Sequence, residues 1–199
     1  MLVELLGLPG AGKTALRDSL VASFGLQDGD AKARDQGSFT HLARNAPLQA
    51  LRSLRIAGFR ERRHRAQAMA HFRESILHRS AHLYVVQHGF VHRTWLMRMQ
   101  GLAYPLVPPS WPTVYISCPP ELAKERIAEK RHQKLGPIND LLLQSGITEA
   151  PWKEGVLIYE QIREELGSPV IDNSGSLGSA ASELACVLNE LLDATGETH

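Results

Sequence analysis

The sequence predicts an α/β fold built on a doubly wound parallel sheet, and three observations carry that expectation. Short apolar runs recur at residues 2–6, 83–86, 113–118 and 169–173. Helical segments separate them, at 12–24, 91–100, 121–134, 152–166 and 177–192. The strand-sized runs are nearly continuous in apolar residues, as strands buried on both faces are. Strands that alternate with helices imply parallel pairing, with the crossover helices layered on both sides of the sheet.

Each element has a local reason. "LVELL" (2–6) is an apolar run that ends at a glycine, and "GKTALRDSLVASF" (12–24) sets Leu16, Leu20, Val21 and Phe24 on one helical face. "GLQDGD" (25–30) is a turn with at most a short strand before it. Residues 38–80 read as helical, with breaks near Pro47 and Gly58. "LYVV" (83–86) is a strand that runs into a polar tip, Gln87-His88, and "VHRTWLMRMQ" (91–100) is a helix. A proline-punctuated loop follows, and "TVYISC" (113–118) is a strand stopped by Pro119 and Pro120, which suit the first turn of the next helix. Residues 135–151 look irregular or weakly helical, and the helix after them stops at Gly167. The last strand is "PVIDN" (169–173) and the last helix "LGSAASELACVLNELL" (177–192).

A chain of 199 residues fits one domain with a real core. No apolar run approaches the ~18–20 residues that cross a bilayer. "MLVELLGLPG" has no basic region and reaches a glycine loop too soon for a signal peptide, so a cytoplasmic protein is expected. Cys118 and Cys186 match no metal-ligand spacing and read as buried free thiols. Net charge is +1, yet residues 36–120 hold eleven arginines, no lysine and only two acids, Glu61 and Glu74. A segment so one-sided needs anions nearby, and arginine favours bidentate phosphate or carboxylate recognition.

"GLPGAGKT", Gly7 to Thr14, matches G-x-x-x-x-G-K-[ST] directly after a strand and at the opening of a helix. Gly7, Gly10 and Gly12 allow turns that a side chain blocks, so the amides from Gly7 through Leu8, Pro9, Gly10, Ala11 and Gly12 to Lys13 can ring a phosphate, apart from the proline. Lys13 reaches the β- and γ-phosphates, and the Thr14 hydroxyl can ligate Mg2+. A nucleoside triphosphate, ATP or GTP, is the expected cofactor.

With this loop in place, the sequence resembles the P-loop kinases of small molecules: nucleoside, nucleoside-monophosphate, shikimate and gluconate kinases. The resemblance implies a three-layer, five-stranded parallel sheet, a helical acceptor-binding insert at about residues 36–80 and a lid at about 126–150. "TVYISCPPELAKERIAEKR" looks like the strand and arginine-bearing helix that lead into such a lid, which gives Arg126 and Arg131 the γ-phosphoryl. "VIDNSGS" resembles the last strand and the loop beside the nucleotide base.

The acid is the open question. A carboxylate usually stands where Gln87 and His88 end the second core strand. The other supply is Asp28-Gly29-Asp30; an Asp-x-Asp in this place serves metal-bound water and the acceptor hydroxyl in shikimate- and gluconate-type kinases. By that likeness Asp28 is the metal candidate and Asp30 the base candidate, with Asp35 in reserve. Arg52 and Arg55 share a helix face in the arginine-rich insert and, with Gln87 and His88, are the candidates for the acceptor. Paired histidines such as His88 and His92 read as helix-face or pocket-lining rather than metal-binding, and Trp95 and Tyr159 as core. Trp111 reads as a pocket-rim residue.

The function expected is transfer of the γ-phosphoryl group to a small, anionic acceptor. The alternative is a catalytically weak nucleotide-binding regulator whose arginine-rich face holds an acidic macromolecule. Nucleic acid fits less well, since few aromatics interleave the arginines. Oligomeric state is not encoded in any motif.

Overall fold

The structure, a computed structural model, describes residues 1–35, 48, 51, 53, 62–80, 82–102, 108–130 and 136–195. Strand β1 (Leu2–Leu6) is the centre of a sheet in which every pairing is parallel. It leads through the glycine loop into helix α1 (Lys13–Phe24), which stops at Gly25 in the left-handed region. Strand β2 (Gln27–Asp28) and helix α2 (Gly29–Asp35) follow. Helix α3 (Arg62–His78) precedes strand β3 (Tyr84–Val86) and helix α4 (Phe90–Arg98). Then come β4 (Thr113–Ser117), α5 (Pro120–Glu129), α6 (Pro137–Gln144), α7 (Ala150–Leu166), β5 (Val170–Asp172) and α8 (Leu177–Thr195).

The sheet has five strands in the order β2-β3-β1-β4-β5, so the chain reverses direction across the sheet beside β1. That reversal opens a crevice at the carboxyl end of the central strands, and the glycine loop lies there. Register is set by Leu2 opposite Tyr84 on one side and Glu4 opposite Thr113 on the other.

Alternation along β1 divides the core. Leu2 and Leu6 join Val86, Phe90, Trp95, Trp152 and Tyr159 on the face covered by α3, α4 and α7. Val3 and Leu5 join Leu16, Leu20, Val114, Ile116, Ile171 and Leu184 on the face covered by α1 and α8. Both faces are buried, which is why the strands read as continuous apolar runs. The exception is Glu4, which sits on the α3/α4 face of a strand buried throughout.

Several local expectations need correction. The stretch 135–151, expected irregular or weakly helical, contains a formed helix, α6, with Pro137 in its first turn, and Cys186, expected buried, is exposed. The 25–30 turn includes a two-residue strand and the start of α2. Trp111 is not a rim residue: it is buried, and its indole N–H donates to Glu4 at 3.3 Å. Among the described residues, no helix is long and apolar enough to cross a membrane. Arg52, Arg55, Arg60 and Arg131 lie outside the described residues, as does most of the 36–61 segment.

Candidate functional site

The glycine loop closes on itself through Ala11 N–H to Leu8 O, 3.1 Å, and opens α1 through Leu16 N–H to Gly12 O, 3.0 Å. Gly10 and Gly12 hold φ of 84° and 87°, the left-handed region that L side chains rarely adopt. A Cβ at Gly10 would also collide with the Ala123 carbonyl of α5, and one at Gly12 with the Asn173 amide. The loop is therefore fitted between α5 and the end of β5, and the absence of side chains is what permits the fit.

Lys13 folds back over this loop. Its ammonium donates to Gly7 O at 2.6 Å and Leu8 O at 2.9 Å. Burial, with Lys130 nearby, pushes its pKa down to about 7, against the opposing pull of Asp30. Among the described residues the ammonium thus has a polar berth but no counter-anion within ion-pair distance, an arrangement suited to receiving one. Thr14 donates its hydroxyl to Gln87 Oε1 at 2.8 Å, which ties the first turn of α1 to the tip of β3.

A single cavity of about 740 Å3 runs from this loop along α4. Gly10, Gly12, Lys13 and Thr14 line one end, with Arg126, Asn173 and Leu177 beside them. Gln87, His88, His92, Trp95, Leu96 and Gln100 form the α4 wall, and Lys130, Gly136, Pro137, Ile138 and Asn139 face it from the α5–α6 side. Its volume is within the range of ligand sites. Arg126 is fixed at the loop's rim, where Nη1 donates to Asn173 O at 3.1 Å and approaches Cys118 Sγ at 3.6 Å. Asn173 in turn donates to Ala11 O at 2.8 Å, so the end of β5 braces the loop.

The profile of the AAA domain family matches residues 2–141 of the chain. The chain belongs to that family. No curated protein matches the sequence. Among solved structures, deoxyadenosine kinase from M. mycoides with dCMP and dCDP superposes with a TM-score of 0.51 at 13% identity, over 96% of this chain and 99% of that one. Shikimate kinase from Acinetobacter baumannii in complex with shikimate gives 0.51 at 17%, over 99% and 95%. A gluconokinase from Sinorhizobium meliloti gives 0.50 at 17%, over 99% and 97%. This AAA domain therefore has the fold of the P-loop kinases of small molecules.

Within the AAA domain, the two expected acids stand behind the cavity rather than on its lining. Asp30 Oδ2 accepts the Gln87 N–H at 3.0 Å and Arg17 Nη1 at 3.2 Å, while Oδ1 accepts the His88 N–H at 3.3 Å. Asp28 accepts the Ala31 N–H at 3.0 Å and Arg17 at 3.4 Å. Both carboxylates thus hold the β3 tip and the α2 start in place around Arg17. Gln87 is buried and His88 exposed, and both line the cavity as expected. Burial pushes the His88 imidazole below its ordinary range, opposed by Asp30 and reinforced by Lys13.

Three features escaped sequence reasoning. Arg17, one helical turn after Lys13, is the hub of the Asp28–Asp30 cluster. Glu4 and Glu74 converge at the start of α4: Glu4 accepts the N–H groups of Val91 at 3.2 Å and His92 at 2.9 Å, and Glu74 that of Phe90 at 2.9 Å. A Cβ on Gly89 would come within 2.6 Å of Glu4 Cδ and 2.8 Å of Glu74 Oε2, so this glycine lets both carboxyls reach the helix end. The signals were present: Glu4 is the lone acid in an apolar strand, and Glu74 is one of two acids in the arginine-rich segment.

Proposed function

We propose that this AAA domain protein is a phosphotransferase that binds ATP or GTP with Mg2+ and moves the γ-phosphoryl group to a small acceptor. The observation that supports it best is the continuity of one cavity from the glycine loop past Gln87 and His88 to the α4 wall. A hydrolytic switch needs only the loop, whereas a transferase also needs room for a second molecule beside it.

In this reading the amides of the Gly7–Thr14 loop and the dipole of α1 hold the phosphates. Lys13 exchanges Gly7 O and Leu8 O for phosphate oxygens. Thr14 and, through water, Gln87 are the residues that would hold magnesium; a hydroxyl and an amide oxygen are hard ligands that suit it. Magnesium, when bound, neutralises charge on the β- and γ-phosphates. Arg126 sits at the nucleotide rim, and Arg131 would join it from a lid formed by about residues 126–150. As the acceptor oxygen bonds to the γ-phosphorus, the bond to the bridging oxygen breaks, ADP or GDP leaves, and the acceptor's proton goes to solvent. The transition state is loose enough that positioning outweighs proton abstraction. Asp28 contributes by fixing the start of α2 and Arg17, and Asp30 by fixing the β3 tip, through which it orients the acceptor by way of Gln87 and His88. Arg52 and Arg55 support an anionic acceptor.

A second reading, a nucleotide-binding regulator with feeble turnover, draws support from the Thr14–Gln87 hydrogen bond, a neutral pairing at the metal position. Calorimetry with ATP and GTP, followed by ADP or GDP release over an acceptor panel, separates the two. Acceptor-stimulated release is expected. Tight nucleotide binding with no acceptor stimulation would favour the regulator, and no binding to either nucleotide would reject both.

A further inference from the structure

The α4 wall of the cavity carries a histidine whose hydrogen-bonding state is set from behind. His92 is 7% exposed, and its Nδ1 lies 2.7 Å from the hydroxyl of Tyr159. Tyr159 is fully buried, and the Gly7 amide of the glycine loop is aimed at its oxygen. A buried phenol must place its own proton on an acceptor, and His92 Nδ1 is the one the geometry offers. Nδ1 is then the accepting nitrogen, so a neutral His92 carries its proton on Nε2. Burial keeps the ring neutral, and Lys13, His88 and Arg93 act in the same direction.

The ring cannot turn to escape this arrangement. It stacks on Trp95 at 5.6 Å and 24° and on Tyr159 at 6.5 Å and 26°. Trp95 is itself anchored, its indole N–H donating to Gly155 O at 3.0 Å. Along the wall Leu96 and Gln100 are uncharged, as are Ile138 and Asn139 opposite, where Lys130 also lines the cavity.

We propose that His92 is the specificity-determining hydrogen-bond donor of the acceptor subsite, a fixed Nε2–H imidazole that selects an acceptor presenting an uncharged oxygen to the α4 wall. This rests on the phosphotransferase reading above. A rigid donor discriminates strongly, because an acceptor without the matching oxygen leaves the N–H buried and unpaired.

The test has two arms. Long-range proton–nitrogen NMR of the histidine rings in the full chain at pH 7 reads the tautomer directly and needs no substrate. His92 should show the Nε2–H form, and Tyr159→Phe should lose that bias. An Nδ1–H form or an imidazolium at His92 in the unaltered protein would overturn the proposal. In the second arm, sugars and cyclic polyols, free and phosphorylated, are each compared with the deoxy analogue that lacks one hydroxyl by ATP-dependent ADP release. The hydroxylated member of one such pair should be preferred. His92→Leu should raise its KM by ~10-fold or more while the KM for ATP stays within ~2-fold, and His92→Gln should recover most of the loss. Indifference to every hydroxyl removed, or an unchanged acceptor KM in His92→Leu, would sink the assignment. Failure of every acceptor would reject the phosphotransferase reading and the acceptor assignment with it, leaving the NMR result to judge the tautomer alone.

Discussion

Thr14 and Gln87 are joined by a 2.8 Å hydrogen bond from hydroxyl to amide oxygen, so the two side chains proposed for magnesium are preorganised by each other. An amide contributes a lone pair but no charge, whereas related phosphate-handling sites use a carboxylate here. Gln87→Glu should therefore tighten Mg2+ in the ATP complex by ~10-fold, read by magnesium titration. Thr14→Val should weaken it. The glutamate would stand near Asp30, whose carboxylate already accepts the Gln87 N–H, so some loss of thermal stability should accompany the gain. Identical magnesium affinity in both variants would remove this pair from any metal role.

Lys13 should make the proposed nucleotide binding pH-dependent. Its folded pKa of about 7 lies below the ordinary 10.5. Between these values the unfolded chain holds more protons than the folded one. The group's contribution to stability is thus lowest below pH 7 and rises as pH climbs toward the unfolded value. A polyphosphate restores the charged form, so ATP binding at pH 8 should take up a proton, and affinity should fall by as much as ~10-fold per pH unit above 7. Calorimetry in two buffers of different ionisation enthalpy measures the uptake. Lys13→Met should abolish both uptake and binding; proton-neutral binding at pH 8 would contradict the assignment.

Glu4 and Glu74 give the fold an acid-side preference. Burial pushes Glu4 up to about 7 despite three hydrogen-bond donors, and burial with Glu4 as neighbour pushes Glu74 well above the carboxylate range. Arg93 pulls Glu74 down and Asp30 pushes both up, and neither reverses the direction. With folded values above unfolded ones, the pair's contribution is present in mild acid and is lost as pH rises through about 7. Glu74→Gln keeps an oxygen for Phe90 N–H and removes the like charge, so it should raise the melting temperature at pH 8 and flatten the profile from pH 5 to about 8. Glu4→Leu strips the acceptor from two amides and an indole and should cost roughly 2–4 kcal/mol in urea denaturation. A pH-independent stability in the unaltered protein would refute the coupled pair.

Much of this architecture was legible because its causes are local. The loop at Gly7–Thr14, the stop at Gly167 and the proline start of α5 each follow from backbone constraints within a few residues. Helix α6 read only as irregular or weakly helical because its apolar face of Ile138, Leu142 and Leu143 is too short to assert a period and forms by packing on α5 and α7. Asp28 and Asp30 were singled out by position, but their contacts with Arg17 and the β3 backbone were not foreseen. Whether a carboxylate faces a cavity or a backbone amide depends on Arg17 and on strands far apart in sequence. The same holds for Tyr159, which sits at core spacing and nonetheless reaches His92 and the glycine loop.

Asp30 offers the sharpest separation of roles. As an anchor it holds two backbone amides and Arg17, whose side chain is 11% exposed and also meets Asp18 and Asp28. Asp30→Ala should strand those donors and cost roughly 2–4 kcal/mol in urea denaturation. Asp30→Asn retains one accepting oxygen and should cost about 1 kcal/mol, with acceptor-dependent kcat held within ~10-fold. A general base behaves otherwise: its amide variant loses ~100-fold to ~10,000-fold in kcat with little change in stability. Measuring both quantities on Asp30→Asn therefore decides between them. Falling stability with surviving turnover supports the anchor, because only a structural carboxylate transmits its loss through the Gln87–His88 backbone rather than through the transferred proton.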